Sequence, residues 1–208
     1  KDQTFHGLRM LVLNNGFKDP SLIREKLAYD LHRAAGLPAS RAAHAMVFVT
    51  AKGRFNKKYF GLYTLVEHVD ETFLDERFGG HDGNLYKIEG FQDIFARADE
   101  AAIGEERNVE LKTNRKENDR SRLVQFVRAV ADGKSDLGKW LDTESFAKWL
   151  AATAALVNLD SYAGTGHNFY LYDDPGTGKF VLIPWDLNEA FANFQMGEPE
   201  AHINWDVF

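Results

Sequence analysis

Two very apolar segments near the end of the chain constrain its fold more than any other feature. The segments are NFYLYD at residues 168–173 and KFVLIPWD at residues 179–186, and the turn between them contains Pro175 and two glycines. Short apolar runs bounded by proline and glycine are typical of buried strands joined as a hairpin. The pattern therefore predicts a hairpin inside the protein, with residues distant in sequence delivered to one end of it.

Four polar residues lie at the ends of these segments or shortly before them, and their chemistry points to a metal and an anion. A carboxylate beside a strand that is apolar on both faces must be hydrogen-bonded or bound to a cation, because its desolvation is otherwise too costly. Carboxylate and amide oxygens suit Mg²⁺, which is typically held by one or two protein ligands together with phosphates and water. We predict Asp186 and Asn168 as these ligands.

The other two polar residues are candidates for proton transfer. Asp160 follows a predicted helix directly, where a carboxylate can accept a proton from a substrate hydroxyl, as in phosphoryl transfer. His167 is a candidate ligand, base or orienting group. Structural roles remain alternatives for all three charged residues: a loop cap for Asp160, a turn for Asp186 and scaffold hydrogen bonding for His167. Two carboxylates across a cleft are also the minimum requirement of a glycoside hydrolase.

Composition and motifs narrow the classes of protein. The net charge of -6 argues against a chain that coats nucleic acid, since that function needs a basic face. There is no cysteine, so thiolate metal sites and cysteine nucleophiles are excluded. No apolar run approaches the roughly 18 residues of a membrane span. The sequence also lacks a Walker phosphate loop, a GxSxG elbow and an HExxH zinc motif.

The rest of the chain predicts a mixture of helices and antiparallel strands. Asp19 as N-cap and Pro20 at the first position predict a helix that ends at Gly36, with an apolar stripe of Ile23, Leu27, Leu31 and Ala34. A hairpin with a basic, glycine-containing connection follows at residues 44–50 and 59–66. Further strands are predicted at residues 6–14 and 84–88, and further helices at residues 71–78, 121–131 and 143–157.

Five blocks of this sequence together resemble the CotH kinase family, the spore-coat protein H-like atypical protein kinases. The blocks are LNNGFKDPSLIREKLAYDLHRAAGLPASRA, YFGLYTLVEHVDETFL, GNLYK, NLDSYAGTGHNFYLYDD and KFVLIPWDLN. The conjunction of HNFYLY with PWDLN is specific, whereas any single block is modest support. The resemblance covers most of the chain from Gly7 to about Phe191 and is weakest over residues 89–142.

This resemblance implies a fold and an activity. The fold is α+β, a divergent two-lobed protein-kinase-like architecture. A small antiparallel-sheet lobe and the hinge occupy residues 1–70. A larger, mainly helical lobe with the catalytic hairpin occupies residues 71–208. The activity is transfer of the ATP γ-phosphate to Ser or Thr of a protein substrate, with ATP and Mg²⁺ as cofactors. The partners are a nucleotide and a protein, with no nucleic acid, and the expected location is extracytoplasmic.

The resemblance also implies roles for individual residues. Asp160 would be the catalytic-loop aspartate and Asp186 the magnesium-binding aspartate, with Asn168 as a second metal ligand. The remaining implied residues serve the nucleotide: Glu67 and Val69 in a hinge that meets adenine, Lys87 and Arg9 on phosphates, and Glu25, or Arg24, on the helix facing the cleft.

Two departures from the family pattern leave an alternative open. Members often carry a second acidic residue where this chain has Asn188, whose amide oxygen can still coordinate a metal. The usual upstream strands of the small lobe are not in this chain. Truncation would say nothing about activity, whereas genuine loss would favour a non-catalytic scaffold or pseudokinase in a coat, envelope or extracellular assembly.

Overall fold

The computed structural model describes residues 4–89, 94–95 and 108–194, and within them the chain has an α+β fold with two antiparallel sheets. The helices are α1 (Arg24–Ala34), α2 (Glu71–Phe78), α3 (Ser121–Asp132) and α4 (Thr143–Ala155). The strands are β1 (Leu11–Asn14), β2 (Ala42–Ala51), β3 (Phe55–Glu67), β4 (Leu85–Ile88), β5 (Val109–Leu111), β6 (Phe169–Asp174) and β7 (Lys179–Pro184). Short 3-10 turns cover Leu137–Lys139 and Leu187–Glu189.

The first sheet has the strand order β1-β3-β2. The β2–β3 hairpin predicted from sequence is present and is longer than expected at both ends. β1 pairs only with the last residues of β3, from Asn14 opposite Thr64 to Leu11 opposite Glu67. The predicted strand over residues 6–14 begins late, because Phe5 and Leu8 close a tight turn in which Gly7 has a φ of 84°.

The first helix differs from its prediction in both start and orientation. α1 begins at Arg24 rather than at Pro20, since the buried Asp19 carboxylate accepts the Arg24 N–H at 3.0 Å and Leu22 takes a φ of 58° in between. The expected apolar stripe is wrong. Ile23, Leu27 and Leu31 are exposed, and the buried residues are Glu25, Ala28, Tyr29 and His32. The helix packs by its polar and aromatic face, with Ala28 and Tyr29 against Leu187 just after β7.

The second sheet has the order β5-β4-β6-β7 and is covered on both faces. Every residue of β6 and all of β7 except Lys179 are buried, which confirms the predicted internal hairpin. One face packs on α3 and α4, with the Phe126 ring stacked on Phe180 at 4.6 Å between centroids. The other face packs on Phe73 and Leu74 of α2. The predicted boundaries of α2 are confirmed, with Asp70 as the N-cap.

A third apolar cluster joins the two sheets. It contains Ala28 and Tyr29 of α1, Val66 of β3 and Leu187 just after β7. The segment that follows β7 is also tied to the end of α4, because the Phe191 N–H donates to the Leu156 carbonyl at 2.6 Å. The residues after β7 therefore lie where the first sheet, α1 and α4 meet.

The orientation of α1 can be tested with a pair of substitutions. Tyr29→Ala removes a fully buried ring and should lower the free energy of unfolding by about 3–5 kcal/mol. Leu27→Ala removes a side chain that is 47% exposed and should cost less than about 1 kcal/mol. Urea unfolding followed by tryptophan fluorescence measures both. A larger cost for Leu27→Ala would mean that the stripe read from the sequence is the buried face.

Candidate active site

The open end of the β6–β7 hairpin brings two predicted ligands together. The Trp185 N–H donates to the Asn168 carbonyl at 3.2 Å, so Asn168 lies across the hairpin from the residue that precedes Asp186. Asn168 and Asp186 both take left-handed backbone conformations, with φ of 60° and 55°. These turns end the strands abruptly and direct the chain out of the sheet at the same place.

Asp160 and His167 lie beside this hairpin end. His167 Nε2 is 3.3 Å from Asp160 Oδ1, and both side chains are largely buried. The Asn168 amide Nδ2 donates to the Asp160 carbonyl at 3.0 Å, which leaves its amide oxygen as the acceptor that can meet a ligand. The loop between them is compact, because a Cβ on Gly164 would lie 2.0 Å from the Leu159 carbonyl oxygen. The loop thus holds Asp160 against the hairpin.

Several carboxylates interact at this site. Burial raises the pKa of Asp160 above its ordinary value, the His167 side chain opposes the rise, and Glu189 and Asp186 add to it. Burial likewise raises the pKa of Asp186, against the opposing charges of Lys87 and His167. Repulsion between desolvated carboxylates is relieved by a cation or a proton. The arrangement is therefore suited to bind positive charge.

Glu25 of α1 belongs to the same group of carboxylates. Its side chain is 2% exposed, and it accepts a hydrogen bond from Asn14 Nδ2 at 2.6 Å. Burial raises its pKa to about 7, with Asp186 and Asp19 contributing to the rise and the Asn14 bond opposing it. Glu25 is thus buried beside Asp186, and its role toward a nucleotide stays a prediction. Arg24 instead donates to Asn193 Oδ1 at 2.9 Å.

A small cavity of about 170 Å³ opens next to Asp186. Its walls are formed by Asn188 and by the turn that follows β1, at residues 14–17. The Asn188 Nδ2 donates to the Phe17 carbonyl at 3.1 Å, so the amide oxygen of Asn188 is again the group left to accept. Amide and carboxylate oxygens consequently line this cavity.

The residues fit a partly protein-coordinated Mg²⁺. Within residues 4–89, 94–95 and 108–194 no three His, Asp or Glu side chains are arranged as a complete metal cage. However, Glu25 Oε2 and Glu189 Oε2 are buried oxygens without a hydrogen-bond partner in that same part of the chain. Mg²⁺ commonly takes only one or two carboxylates and completes its shell with phosphates and water. An incomplete set with unsatisfied oxygens matches that preference.

The residues expected to bind nucleotide lie at different distances from this centre in the fold. The Lys87 ammonium pairs with Glu89, and its charge opposes the rise that burial causes in the pKa of Asp186. The Glu67 side chain is 2.8 Å from Arg77 Nη2, while its backbone N–H donates to the Arg41 carbonyl at 2.9 Å. Val69 is buried against α2. Arg9 is exposed and lies 3.2 Å from Glu71, so its one ion pair within the described ranges is at the start of α2.

Sequence reasoning missed three residues that the fold brings to the site. Glu189 is 5% exposed and lies 2.9 Å from the Lys18 ammonium. The Tyr29 hydroxyl accepts the Asp186 backbone N–H at 3.2 Å. Glu189 was detectable, since it follows PWDLN directly and supplies an acidic group one residue after Asn188. No local pattern marks Lys18 or Tyr29, because only the packing of α1 brings their region of the chain to Asp186.

The chain is an α+β protein with buried carboxylates at one end of an internal hairpin. It belongs to the CotH kinase protein family, since residues 1–206 match the model of that family. A relative is the inner spore coat protein H of Bacillus subtilis (strain 168), which is 31% identical over 203 residues. The alignment covers 94% of this chain and 54% of the relative, so the chain spans about half the length of the curated relative it matches. No helix in the described ranges is long and apolar enough to span a membrane.

The burial of Glu25 predicts a pH dependence of stability. With a folded-state pKa of about 7 against an ordinary value of 4.5, folded Glu25 keeps its proton where the unfolded chain releases it. The stabilising contribution of Glu25 to the free energy of unfolding is thus fully present below pH 4.5, and it is lost as the pH rises through 7. Between pH 5 and pH 8 we expect the wild type to lose about 2–3 kcal/mol relative to Glu25→Gln, whose amide can still accept the Asn14 bond.

Urea unfolding at both pH values, with a chelator present, measures this difference. The matched control is Glu144→Gln, which neutralises a glutamate whose side chain is 80% exposed and should retain the wild-type dependence. Parallel pH dependences for the wild type and Glu25→Gln would contradict the burial of a raised-pKa carboxyl at this position.

Proposed function

We propose that this protein is an Mg²⁺-dependent atypical protein kinase that transfers the γ-phosphate of ATP to Ser or Thr of protein substrates. The single observation that carries the proposal is the group of buried carboxylates Asp160, Asp186 and Glu189. The charge of Glu189 adds to the rise that burial causes in the pKa of Asp160 and of Asp186, and Glu189 Oε2 has no hydrogen-bond partner within the described residues. Such a group is costly to fold and is expected where a cation and phosphates complete it. Membership of the CotH kinase protein family supports the same activity.

In this proposal Asp160 is the base that accepts the proton of the substrate hydroxyl. Its raised pKa moves it toward the pH at which it works, which improves proton acceptance. His167 restrains the carboxylate from one side at 3.3 Å, and the Asn168 bond to the Asp160 carbonyl fixes the backbone. The base is therefore held in position before the substrate arrives, and positioning supplies much of the rate in phosphoryl transfer.

Asp186, with the amide oxygens of Asn188 and Asn168, would hold the metal ion. When bound, Mg²⁺ neutralises the charge of the transferring phosphate. The substitution of an acidic residue by Asn188 is compatible with this role because Glu189 supplies a buried carboxylate at the next position. Lys87 is the proposed phosphate contact nearest to this centre, since its charge acts on Asp186.

The nucleotide would lie between two lobes, residues 1–70 and residues 71–208. The first sheet with α1 forms the small lobe, and the exit of β3 at Glu67 and Val69 is the proposed hinge. The Glu67 N–H already donates to the Arg41 carbonyl. The hinge would therefore bind adenine through the backbone groups of the residues after Glu67. Arg9 remains a weaker candidate for a phosphate contact, since its ion pair with Glu71 places it at the start of α2.

One observation favours a second function, a non-catalytic coat component. The B. subtilis relative is named as an inner spore coat protein. A scaffold or pseudokinase in a coat would share this extracytoplasmic location without requiring phosphate transfer. The two functions differ in whether nucleotide stabilises the folded protein, because a ligand that binds only the native state must raise its apparent stability.

The experiment measures nucleotide binding and phosphate transfer in the wild type, two site variants and one control variant. ATP with Mg²⁺ should stabilise the wild type by about 2.7 kcal/mol at a hundredfold excess over the dissociation constant. Asp186→Ala should lose the metal-dependent part of this stabilisation. Asp160→Ala should keep it and lose about 10²–10⁴-fold in transfer of labelled phosphate to a protein acceptor.

Glu144→Gln serves as the control, because it removes an exposed carboxylate remote from the hairpin end. Full transfer activity in Asp160→Ala would refute its role as base. Absence of any stabilisation by ATP with Mg²⁺ in the wild type would favour the coat scaffold.

A further inference from the structure

The β2–β3 hairpin extends well beyond the rest of the first sheet. β1 covers β3 only from Thr64 to Glu67, so the part of β3 from Phe55 to Tyr63 has no strand partner on that side within the described ranges. We call residues 46–63, the part of the hairpin beyond β1, the ribbon. An unpaired strand edge presents a row of backbone donors and acceptors to which another chain can add.

The ribbon carries a concentrated positive charge. Residues 48–60 read FVTAKGRFNKKYF, with four basic side chains and no acidic one, in a chain whose net charge is -6. Lys52, Arg54, Lys57 and Lys58 are exposed, and they form no ion pair within the part of the chain that the structure describes. Positive charge of this kind is complementary to a negatively charged partner.

Exposed aromatic rings flank these charges. Phe48 and Tyr59 are 57% and 52% exposed and pack on each other at 5.2 Å. The Lys58 ammonium lies 4.9 Å from the Phe55 ring and 5.7 Å from the Phe60 ring. Met46, at 69% exposure, extends the apolar surface toward the base of the ribbon. Large exposed rings on a protruding strand pair are typical of a contact surface.

The outer edge of the other sheet is paired at one residue of β7. Phe180 of β7 donates its N–H to the Trp140 carbonyl at 2.6 Å, and the Asp142 N–H donates back to Phe180 at 3.1 Å. Lysines on a free edge also discourage aggregation. That function alone does not require exposed aromatic rings, which themselves promote association. Charge, rings and a free edge together favour one kind of occupant.

We propose that the ribbon binds an acidic, extended segment of a partner protein, which adds as a strand along the free edge of β3. Its carboxylates meet Lys58 on the face that carries the Phe55 and Phe60 rings, and its alternate side chains contact the Tyr59 ring on the opposite face. This binding requires neither nucleotide nor metal, so it is tested separately from the proposed kinase activity.

The test uses a labelled eight-residue peptide of alternating Glu and Val, titrated with the protein and followed by fluorescence anisotropy. Lys57→Glu/Lys58→Glu should weaken binding at least about tenfold, because like charges then face each other. Lys52→Glu/Arg54→Glu, at the exposed turn, should also weaken binding. Agreement between the two variants would show that the loss does not come from misfolding of the first one. Lys134→Glu/Lys139→Glu changes the net charge equally at exposed positions elsewhere and should leave binding unchanged.

Three further probes define what would overturn the proposal. The same peptide with N-methyl groups on alternate amides cannot complete the strand pairing and should bind much more weakly. Equal binding of that peptide would exclude strand addition. Binding of anionic phosphatidylglycerol vesicles or of a thymidine oligonucleotide as tight as that of the peptide would show a general anion surface instead. Equal loss of binding in Lys134→Glu/Lys139→Glu would show that only net charge matters.

Discussion

The structure depends on a hairpin that is buried on both faces and yet ends in charged groups. β6 and β7 need helices on either side to exclude water, and α3, α4 and α2 supply them. At the open end, the chain turns out of the sheet through left-handed residues and places Asp186 at the limit of the apolar core. The cost of desolvating that carboxylate is partly offset by the opposite charges of Lys87 and His167.

α1 connects this centre to the first sheet and shows how a site can override local pattern. Its leucines would make a conventional apolar stripe, but Leu27 and Leu31 are exposed and Glu25 and Tyr29 are buried. Tyr29 accepts the Asp186 N–H, and Glu25 adds a carboxylate to the group near it. A helix oriented for packing alone would have buried the leucines, so the observed orientation is consistent with selection for the site.

The two sheets treat their strand edges differently. The outer edge of β7 pairs with residues 140–142 at Phe180. The part of the β3 edge that has no strand partner within the described residues carries lysines and aromatic rings and extends away from the core. One sheet therefore supports the internal carboxylate site, while the other presents a basic surface to the outside of the molecule.

The sequence by itself determined the internal hairpin, the β2–β3 hairpin, α2 and the ends of α3, because periodicity, caps and glycine stops are local properties. It also predicted that Asn168 and Asp186 lie close together, since residues at the two ends of one hairpin meet wherever that hairpin lies; their role as metal ligands stays a prediction. Only the tertiary structure decided the orientation of α1 and the presence of Lys18 and Tyr29 at the site. These features depend on long-range packing and on the desolvation of charge. Neither can be predicted from the spacing of residues along the chain.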